Sequence, residues 1–246
     1  MMVMEECRRV LKKTGTLWVN IGDSYSGSGR GPTGKNGIGN QTKRQGFDTP
    51  KITPQSALAK SLVAIPARFQ IAMIDSGWVC RNEIVWYKRN CMPSSAKDRF
   101  TVDFEPIYFF TKQGKYWFEQ QKENTTAPAG KPRPFSKKGN VDRNDVGRIY
   151  EPNDSGERNC RTVWDITTKP FKGAHFATFP PKLAERMILA GCPEGGTVLD
   201  PFGGSGTVGM VAKKHNRNYI LLDVNPEYCE MAQKRIDNTP ILRLSE

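Results

Sequence analysis

The stretch Gly196–Tyr228, GTVLDPFGGSGTVGMVAKKHNRNYILLDVNPEY, constrains the fold more than any other part of the chain. Thr197–Leu199 is a β-branched and aliphatic run, and Asp200-Pro201 stops it, as a strand leaving the carboxyl edge of a parallel sheet stops. Gly203, Gly204 and Gly206 then let the backbone turn tightly and come close to a ligand. Val208, Met210, Val211 and Ala212 start a helix that ends near His215-Asn216. Tyr219–Leu222 reads as a second strand with Asp223 at its tip, where a carboxylate can accept both hydroxyls of a ribose. The unit is strand, glycine loop, helix, strand, acid, and it places the chain among α/β folds with a parallel sheet.

Three ligands compete for such a unit. Gly204-Ser205-Gly206-Thr207-Val208-Gly209 fits the dinucleotide pattern G-x-G-x-x-G, and Asp223 follows Gly204 by 19 residues. A dinucleotide domain needs further βαβ units downstream, however, and 23 residues follow Asp223. A P-loop fails more simply, because no Gly-Lys-Ser/Thr closes the glycine run. The third candidate is S-adenosylmethionine, which has no phosphate to neutralise. For it the loop need only wrap the methionine part while the acid holds the ribose.

Composition narrows the partners. The 246 residues carry a net charge of +12, unevenly placed. Residues 26–100 hold 12 basic against 4 acidic side chains, residues 120–172 hold 11 against 7, and residues 173–246 hold 8 of each. A neutral half beside a basic middle is the footprint of a surface that lies on a polyanion. The six cysteines, Cys7, Cys80, Cys91, Cys160, Cys192 and Cys229, form no C-x-x-C pair, and there are two histidines. That speaks against both a zinc site and a disulfide framework. Nothing reads as a membrane span or a signal peptide, so a cytoplasmic location is expected.

Before the cofactor segment, residues 2–13 read as a helix with Met4, Cys7, Val10 and Leu11 on one face, capped by Gly15. Thr16–Gly22 reads as a buried strand ending at Asp23-Ser24-Tyr25. From Ser26 to about Pro54 the chain is rich in Gly, Lys, Asn and Thr and is expected to be a mobile basic loop. A helix follows over 61–76, with Leu62, Ile65, Phe69, Ala72 and Met73 on one side. Trp78–Tyr87 and Phe104–Thr111 form a hairpin whose connection holds Lys88, Arg89, Asn90, Lys97 and Arg99. Trp86, Tyr108, Phe109 and Phe110 are expected to be sheet core. Tyr116-Trp117-Phe118 is expected to be a short last strand. Residues 119–160, with Pro128, Pro132, Pro134 and several lysines and arginines, read as an inserted loop-built module. Order resumes at Arg161–Ile166, and a helix over 182–190 turns Leu183, Met187 and Ile188 to the sheet, with Pro181 in its first turn.

Asp200-Pro201-Phe202-Gly203-Gly204-Ser205-Gly206-Thr207 resembles, nearly letter for letter, the D-P-F-x-G-S-G-T segment of DNA amino-methyltransferases. Leu17–Tyr25, the Lys88–Phe100 connection, Asn159–Trp164 and His175–Pro180 resemble further motifs of the beta-type group, and all five segments stand in that group's order. The resemblance implies a Rossmann-like methyltransferase sheet in circularly permuted order. It assigns residues 1–118 and 161–246 to one catalytic domain and residues 119–160 to a target-recognition insert. It implies S-adenosylmethionine as cofactor, held by Asp200–Thr207, Asp223, Asn225, Phe179 and Pro180. It also implies double-stranded DNA as partner, with Lys88, Arg89, Asn90, Lys97 and Arg99 facing it, and no metal. The methyl group would go to an exocyclic amine, and Gly15–Tyr25 looks more like the cytosine-N4 branch than the adenine-N6 branch.

One departure from the family stands out. In that group a Ser, Asp or Asn followed by Pro-Pro and an aromatic supplies the amine's hydrogen-bond partner and a stacking face for the flipped base. No such tetrapeptide occurs here, and Phe179-Pro180-Pro181-Lys182 has its aromatic on the wrong side. Catalysis through a Pro-Cys nucleophile at carbon 5 is also excluded, since Cys192-Pro193 has the reverse order. The expectation is a methyltransferase lacking its first strands and its catalytic segment, with a gap between the strands at Thr197–Leu199 and Thr16–Ile21. The missing segment would lie on a second chain or belong to a misread start, or it is lost and the protein would bind DNA, and with it the cofactor, without transferring a methyl.

Overall fold

The computed structural model describes residues 2–26, 58, 60–124, 133–134, 149–150, 157–168 and 180–242. The expected basic loop after Ser26 and most of the expected recognition insert lie outside the described residues. So does His175–Phe179. The chain divides into two compact units, one of residues 1–117 with 163–180 and one of residues 118–162 with 181–246.

The first unit is built on a four-stranded sheet. Its elements are α1 (Met2–Val10), β1 (Thr16–Asn20), α2 (Ile65–Asp75), β2 (Val79–Tyr87), β3 (Phe104–Thr111) and, from beyond the second unit's first segment, β8 (Val163–Asp165). The strand order is β1-β3-β2-β8. β3 runs antiparallel to both of its neighbours, and β8 joins β2 in parallel. β3 is paired on both edges and packed on both faces, and Ile107, Tyr108, Phe109 and Phe110 are all buried in sequence. Such a strand shows a continuous apolar run instead of alternation. On one face Tyr108 and Phe110 pack with Met73 and Trp78, joined by Phe69 and Leu17. On the other, Phe109 stacks on Trp18 at 4.2 Å with the rings 6° from parallel, and Tyr116 meets Phe109 edge-on. Trp86 is buried as well and donates its Nε1–H to the Ile166 carbonyl at 2.8 Å, so the four aromatics expected in the core are there.

Local departures from the expected elements have local causes. α1 ends at Val10, which is exposed, because the chain turns through Lys12, whose carbonyl accepts from the Gly15 N–H, to enter β1. α2 begins at Ile65, not at 61. Leu62 is drawn into a bridge with Tyr25 instead, and Pro66 sits in the first helical turn where its missing N–H costs nothing. Ala64 offers no side-chain cap; the Asp23 carboxylate supplies one from far away in sequence, accepting from the Ile65 N–H at 3.0 Å and from the Ser24 N–H at 2.8 Å. The strand expected at Tyr116–Phe118 does not form. One backbone bond, Trp117 N–H to the Thr14 carbonyl at 2.9 Å, is too little for a ladder.

The second unit holds two short ladders and a βαβ unit. β4 (Lys122–Asn124) pairs antiparallel with β7 (Glu157–Asn159), and β5 (Arg133–Pro134) with β6 (Ile149–Tyr150). The β4–β7 ladder is reinforced across its face, where Glu123 accepts from Arg158 at 2.9 Å and from Arg161 at 3.2 Å. α3 (Pro181–Gly191), β9 (Thr197–Asp200), α4 (Thr207–Lys214), β10 (Asn218–Leu221) and α5 (Pro226–Asp237) follow. β9 and β10 are parallel, as a strand–helix–strand crossover requires. α4 packs on β9, β10, α3 and α5. α3 thus buries Leu183, Ala184 and Ile188 with α4 as its principal neighbour rather than the sheet. Among the described residues β1 is hydrogen-bonded on one side only, and so is β9.

α3 and α4 are tied by a charged cluster. Glu185 Oε1 lies 2.6 Å from His215 Nε2 and 3.3 Å from Lys214 Nζ. Burial pushes the Glu185 carboxyl up, but the hydrogen bonds from His215 and Lys214 and their charges outweigh it and hold the group below the ordinary glutamate value of 4.5. A carboxylate held low stabilises the fold above its unfolded value, and the contribution disappears as pH falls through the lower folded value. Glu185→Gln is therefore expected to lower the melting temperature at pH 7, by a deficit that shrinks as the pH falls below 4.5. Melting followed by circular dichroism across that range checks it, and an equal deficit at both ends would rule out the ionic contribution.

Candidate functional site

The glycine loop sits where the sequence puts it, between the carboxyl end of β9 and α4, and its geometry comes from three residues. Asp200, the last residue of β9, accepts from the Phe202 N–H at 2.9 Å. That turns the chain at Pro201. The Gly203 N–H reaches across to the Leu222 carbonyl at 2.7 Å, and the Gly206 N–H closes back on the Gly203 carbonyl at 2.8 Å. Gly206 precedes α4 with φ +78°, and Ala232 of α5 lies so close that a Cβ at Gly206 would stand 2.7 Å from the Ala232 Cβ. The Arg235 guanidinium, from the same helix, donates to the Ser205 carbonyl.

Asp223 binds the loop to the second strand. One carboxylate oxygen accepts from the Gly204 N–H at 2.8 Å, and the other from the Asn225 N–H at 2.9 Å. Asn225 then caps α5, its Oδ1 accepting from the Glu227 N–H at 2.9 Å. Each Asp223 oxygen keeps a lone pair for a further donor. Asp200 is the second acid at this strand end. Burial pushes its carboxyl above the usual range; the Phe202 N–H acts against that, and the charge of Asp223 adds to it. Ser205 and Thr207 are buried polar residues of the same turn.

The arrangement decides between ligand types. In a phosphate cradle the loop N–H groups point outward and unpaired. Here the N–H groups of Phe202, Gly203, Gly204 and Gly206 all bond inside the protein. What remains at the strand tips is a pair of carboxylates and apolar surface: Phe202 is 67% exposed and Val224 98%. Such a site suits a ligand with hydroxyl donors, a positive charge and a flat apolar part. Val224 was not singled out from the sequence, although an apolar residue directly after the strand-end acid is a signal that could have found it.

The basic residues of the β2–β3 connection prove to be unequal. Lys88 pairs with Glu105 and lies 4.3 Å from the Trp86 ring centroid. Arg89 pairs with Asp165 of β8. Asn90 grips Thr168 at both backbone groups, donating from Nδ2 to its carbonyl and accepting from its N–H, each at 2.8 Å. Arg99 lays its guanidinium 3.6 Å over the Tyr25 ring. Lys97 is exposed and makes no ion pair among the described residues. Lys88, Arg89 and Asn90 thus hold the hairpin to its own sheet, a use that spacing in sequence does not reveal. Pro180 is buried directly before α3.

The chain's likeness to known proteins agrees with this geometry. A family model described as DNA methylase, of the N6/N4 methyltransferases, matches residues 2–234. The Type II methyltransferase M.XycI of Xanthomonas campestris pv. cyanopsidis is 39% identical over 99% of this chain and 72% of its own length. M.Cfr9I of Citrobacter freundii is also 39% identical, with the same two shares covered. Among solved structures, the cytosine-N4-specific PvuII DNA methyltransferase superposes with a TM-score of 0.62 over 95% of this chain and 69% of its own, at 18% identity. That last likeness shows a shared methyltransferase fold. A match running from α1 into α5, with two relatives 39% identical over 99% of the chain, identifies the chain as a member of the N6/N4 family of DNA methylases.

Proposed function

We propose that the chain is a site-specific DNA methyltransferase that moves a methyl group from S-adenosylmethionine to an exocyclic base amine, N4 of cytosine in preference to N6 of adenine. The observation that carries the cofactor is the pair Asp200 and Asp223 at the rim of a loop in which the N–H groups of Phe202, Gly203, Gly204 and Gly206 bond inside the protein. Asp223 takes the ribose hydroxyls, Phe202 and Val224 take the adenine faces, and Asp200 with Pro201 and Gly203–Thr207 surrounds the sulfonium and amino-acid part, where a carboxylate favours positive charge. Asn225 holds the Asp223 loop through its cap of α5, and the family resemblance adds Pro180 and Phe179, the latter outside the described residues, to the cofactor set. When bound, the cofactor supplies an electrophilic methyl carbon. The chain's own task is to orient it toward the amine lone pair and to keep water out.

The choice of cytosine rests on the resemblance of Gly15–Tyr25 to the N4 branch. Tritiated cofactor with mixed-sequence DNA, followed by digestion to nucleosides, tests it: label in N4-methylcytosine is expected, and label in N6-methyladenine would overturn the choice of base. A second reading rests on the lack of any Ser/Asp/Asn-Pro-Pro-aromatic among the 246 residues. On that reading the amine's acceptor comes from residues outside this sequence, and the chain alone binds cofactor but transfers nothing until a segment carrying that tetrapeptide is added.

DNA is engaged by the β2–β3 connection, where Lys88, Arg89, Asn90, Lys97 and Arg99 are grouped, and residues 119–160 read the target. Lys97 and Arg99 carry the phosphate contacts, since Lys88 and Arg89 already have carboxylate partners. Replacing Lys97 and Arg99 by glutamine is expected to weaken binding to every duplex alike and to reduce the slope of log K against log salt by roughly one for each phosphate no longer neutralised. Anisotropy titrations at several salt concentrations measure this. An unchanged slope would make the hairpin only a sheet edge.

A further inference from the structure

The β2–β3 connection carries exposed apolar side chains as well as cations. Its base is closed by the Lys88 N–H bonding to the Asp103 carbonyl at 2.7 Å. Its near side is fixed by Arg89 and Asn90 on the segment of β8. Its far side is fixed at two consecutive residues: Asp98 pairs with Lys60 at 2.7 Å, and Arg99 stacks on Tyr25 at 3.6 Å. The next residue, Phe100, is 96% exposed, and Met92 on the same connection is 88% exposed. A phenyl ring so exposed forgoes nearly all of its transfer free energy. Single exposed apolar residues are ordinary, but a fully exposed ring beside a cationic pair, on a connection braced from both sides, is a presented group.

Charge points to what it is presented to. Lys97 and Arg99 precede Phe100 within three residues, in a region with 12 basic and 4 acidic side chains over residues 26–100. Cations that hold phosphates beside an apolar ring that enters the base stack are the composition of a DNA wedge. Chemistry on a base amine requires that base to leave the stack, and the vacated place must be filled or collapse. Resting on the DNA methyltransferase reading above, we infer that Phe100 is a DNA-binding residue that inserts into the base stack at the position a displaced base leaves empty. Asp98, paired with Lys60, acts as a positioning residue for the segment that carries the ring.

The test uses a probe that needs no knowledge of the recognition sequence. A mixed-sequence duplex of about 30 base pairs is compared with the same duplex carrying one abasic site next to a 2-aminopurine, at low salt where non-specific binding is strong. The parent protein is expected to bind the abasic duplex about fivefold to 100-fold more tightly, the range for one base–aromatic stack, and to quench the 2-aminopurine. Phe100→Ala should bind both duplexes alike without quenching, while Phe100→Trp should keep both effects. An unchanged melting temperature for Phe100→Ala would locate the loss in the complex and not in the fold. A preference retained by Phe100→Ala, or absent from the parent, overturns the wedge while leaving salt-dependent duplex binding intact. A parent that binds neither duplex sinks the DNA reading itself and the wedge with it, and the exposed ring would then belong to a protein partner.

Discussion

Asp223→Ala is expected to lower affinity for S-adenosylmethionine by about 100-fold or more in calorimetry, a larger loss than one ribose contact alone would give. Hydrogen bonds to a charged group are worth roughly 1.5–3 kcal/mol each. The ribose contact is one such loss. The carboxylate also accepts from the Gly204 and Asn225 N–H groups, so its removal frees the middle of the glycine loop and the entry to α5 together. The two N–H groups would turn to water, and the loop would sample conformations that do not fit the ligand. Asp223→Asn separates the parts. An amide can accept from one of the two N–H groups but must turn its own NH2 toward the other, so its affinity should fall between those of parent and alanine variant. Equal affinity for all three proteins would place the ribose elsewhere.

Gly206→Ala has the largest expected effect on stability, at about 2–5 kcal/mol, because two costs combine. The φ of +78° strains any side chain by about 1–2 kcal/mol. The added carbon would also stand 2.7 Å from the Ala232 Cβ and 2.8 Å from its Cα, and overpacking of that kind costs about 1–3 kcal/mol. α5 would have to move away from the turn, carrying Arg235 and its bond to Ser205 with it. Gly114→Ala is the control, since nothing lies within 4 Å of its added carbon, and it should unfold like the parent. Adding Ala232→Gly should recover at most a small part of the loss in Gly206→Ala, since it removes the Ala232 methyl but leaves the 2.8 Å approach to the Cα and the backbone strain. Urea denaturation of the four proteins reads all of these differences, and a Gly206→Ala protein as stable as Gly114→Ala would show that the turn tolerates a side chain.

Sequence alone was enough for whatever is decided by neighbouring residues. The order strand, glycine loop, helix, strand, acid is local: period, glycine spacing and the position of Asp200 and Asp223 settle it, and β9, α4 and β10 appear within one residue of where they were expected. The bounds of β3 and the burial of Trp86, Tyr108, Phe109 and Phe110 were legible for the same reason, since a run of four large apolar residues has no solvated alternative. What tertiary structure decided was everything joined across long stretches of chain. The placement of β3 between β1 and β2, the parallel addition of β8, and the cap that Asp23 provides for α2 leave no periodic trace, because each is a pairing chosen among many of equal local propensity. Charge shows the difference most directly. Composition marks the β2–β3 connection as basic, yet only the fold shows that Lys88 and Arg89 are taken up by Glu105 and Asp165 while Phe100 is left in solvent. A side chain's type sets what it can bond, but the partner that reaches it first is set by which distant strand the sheet brings alongside.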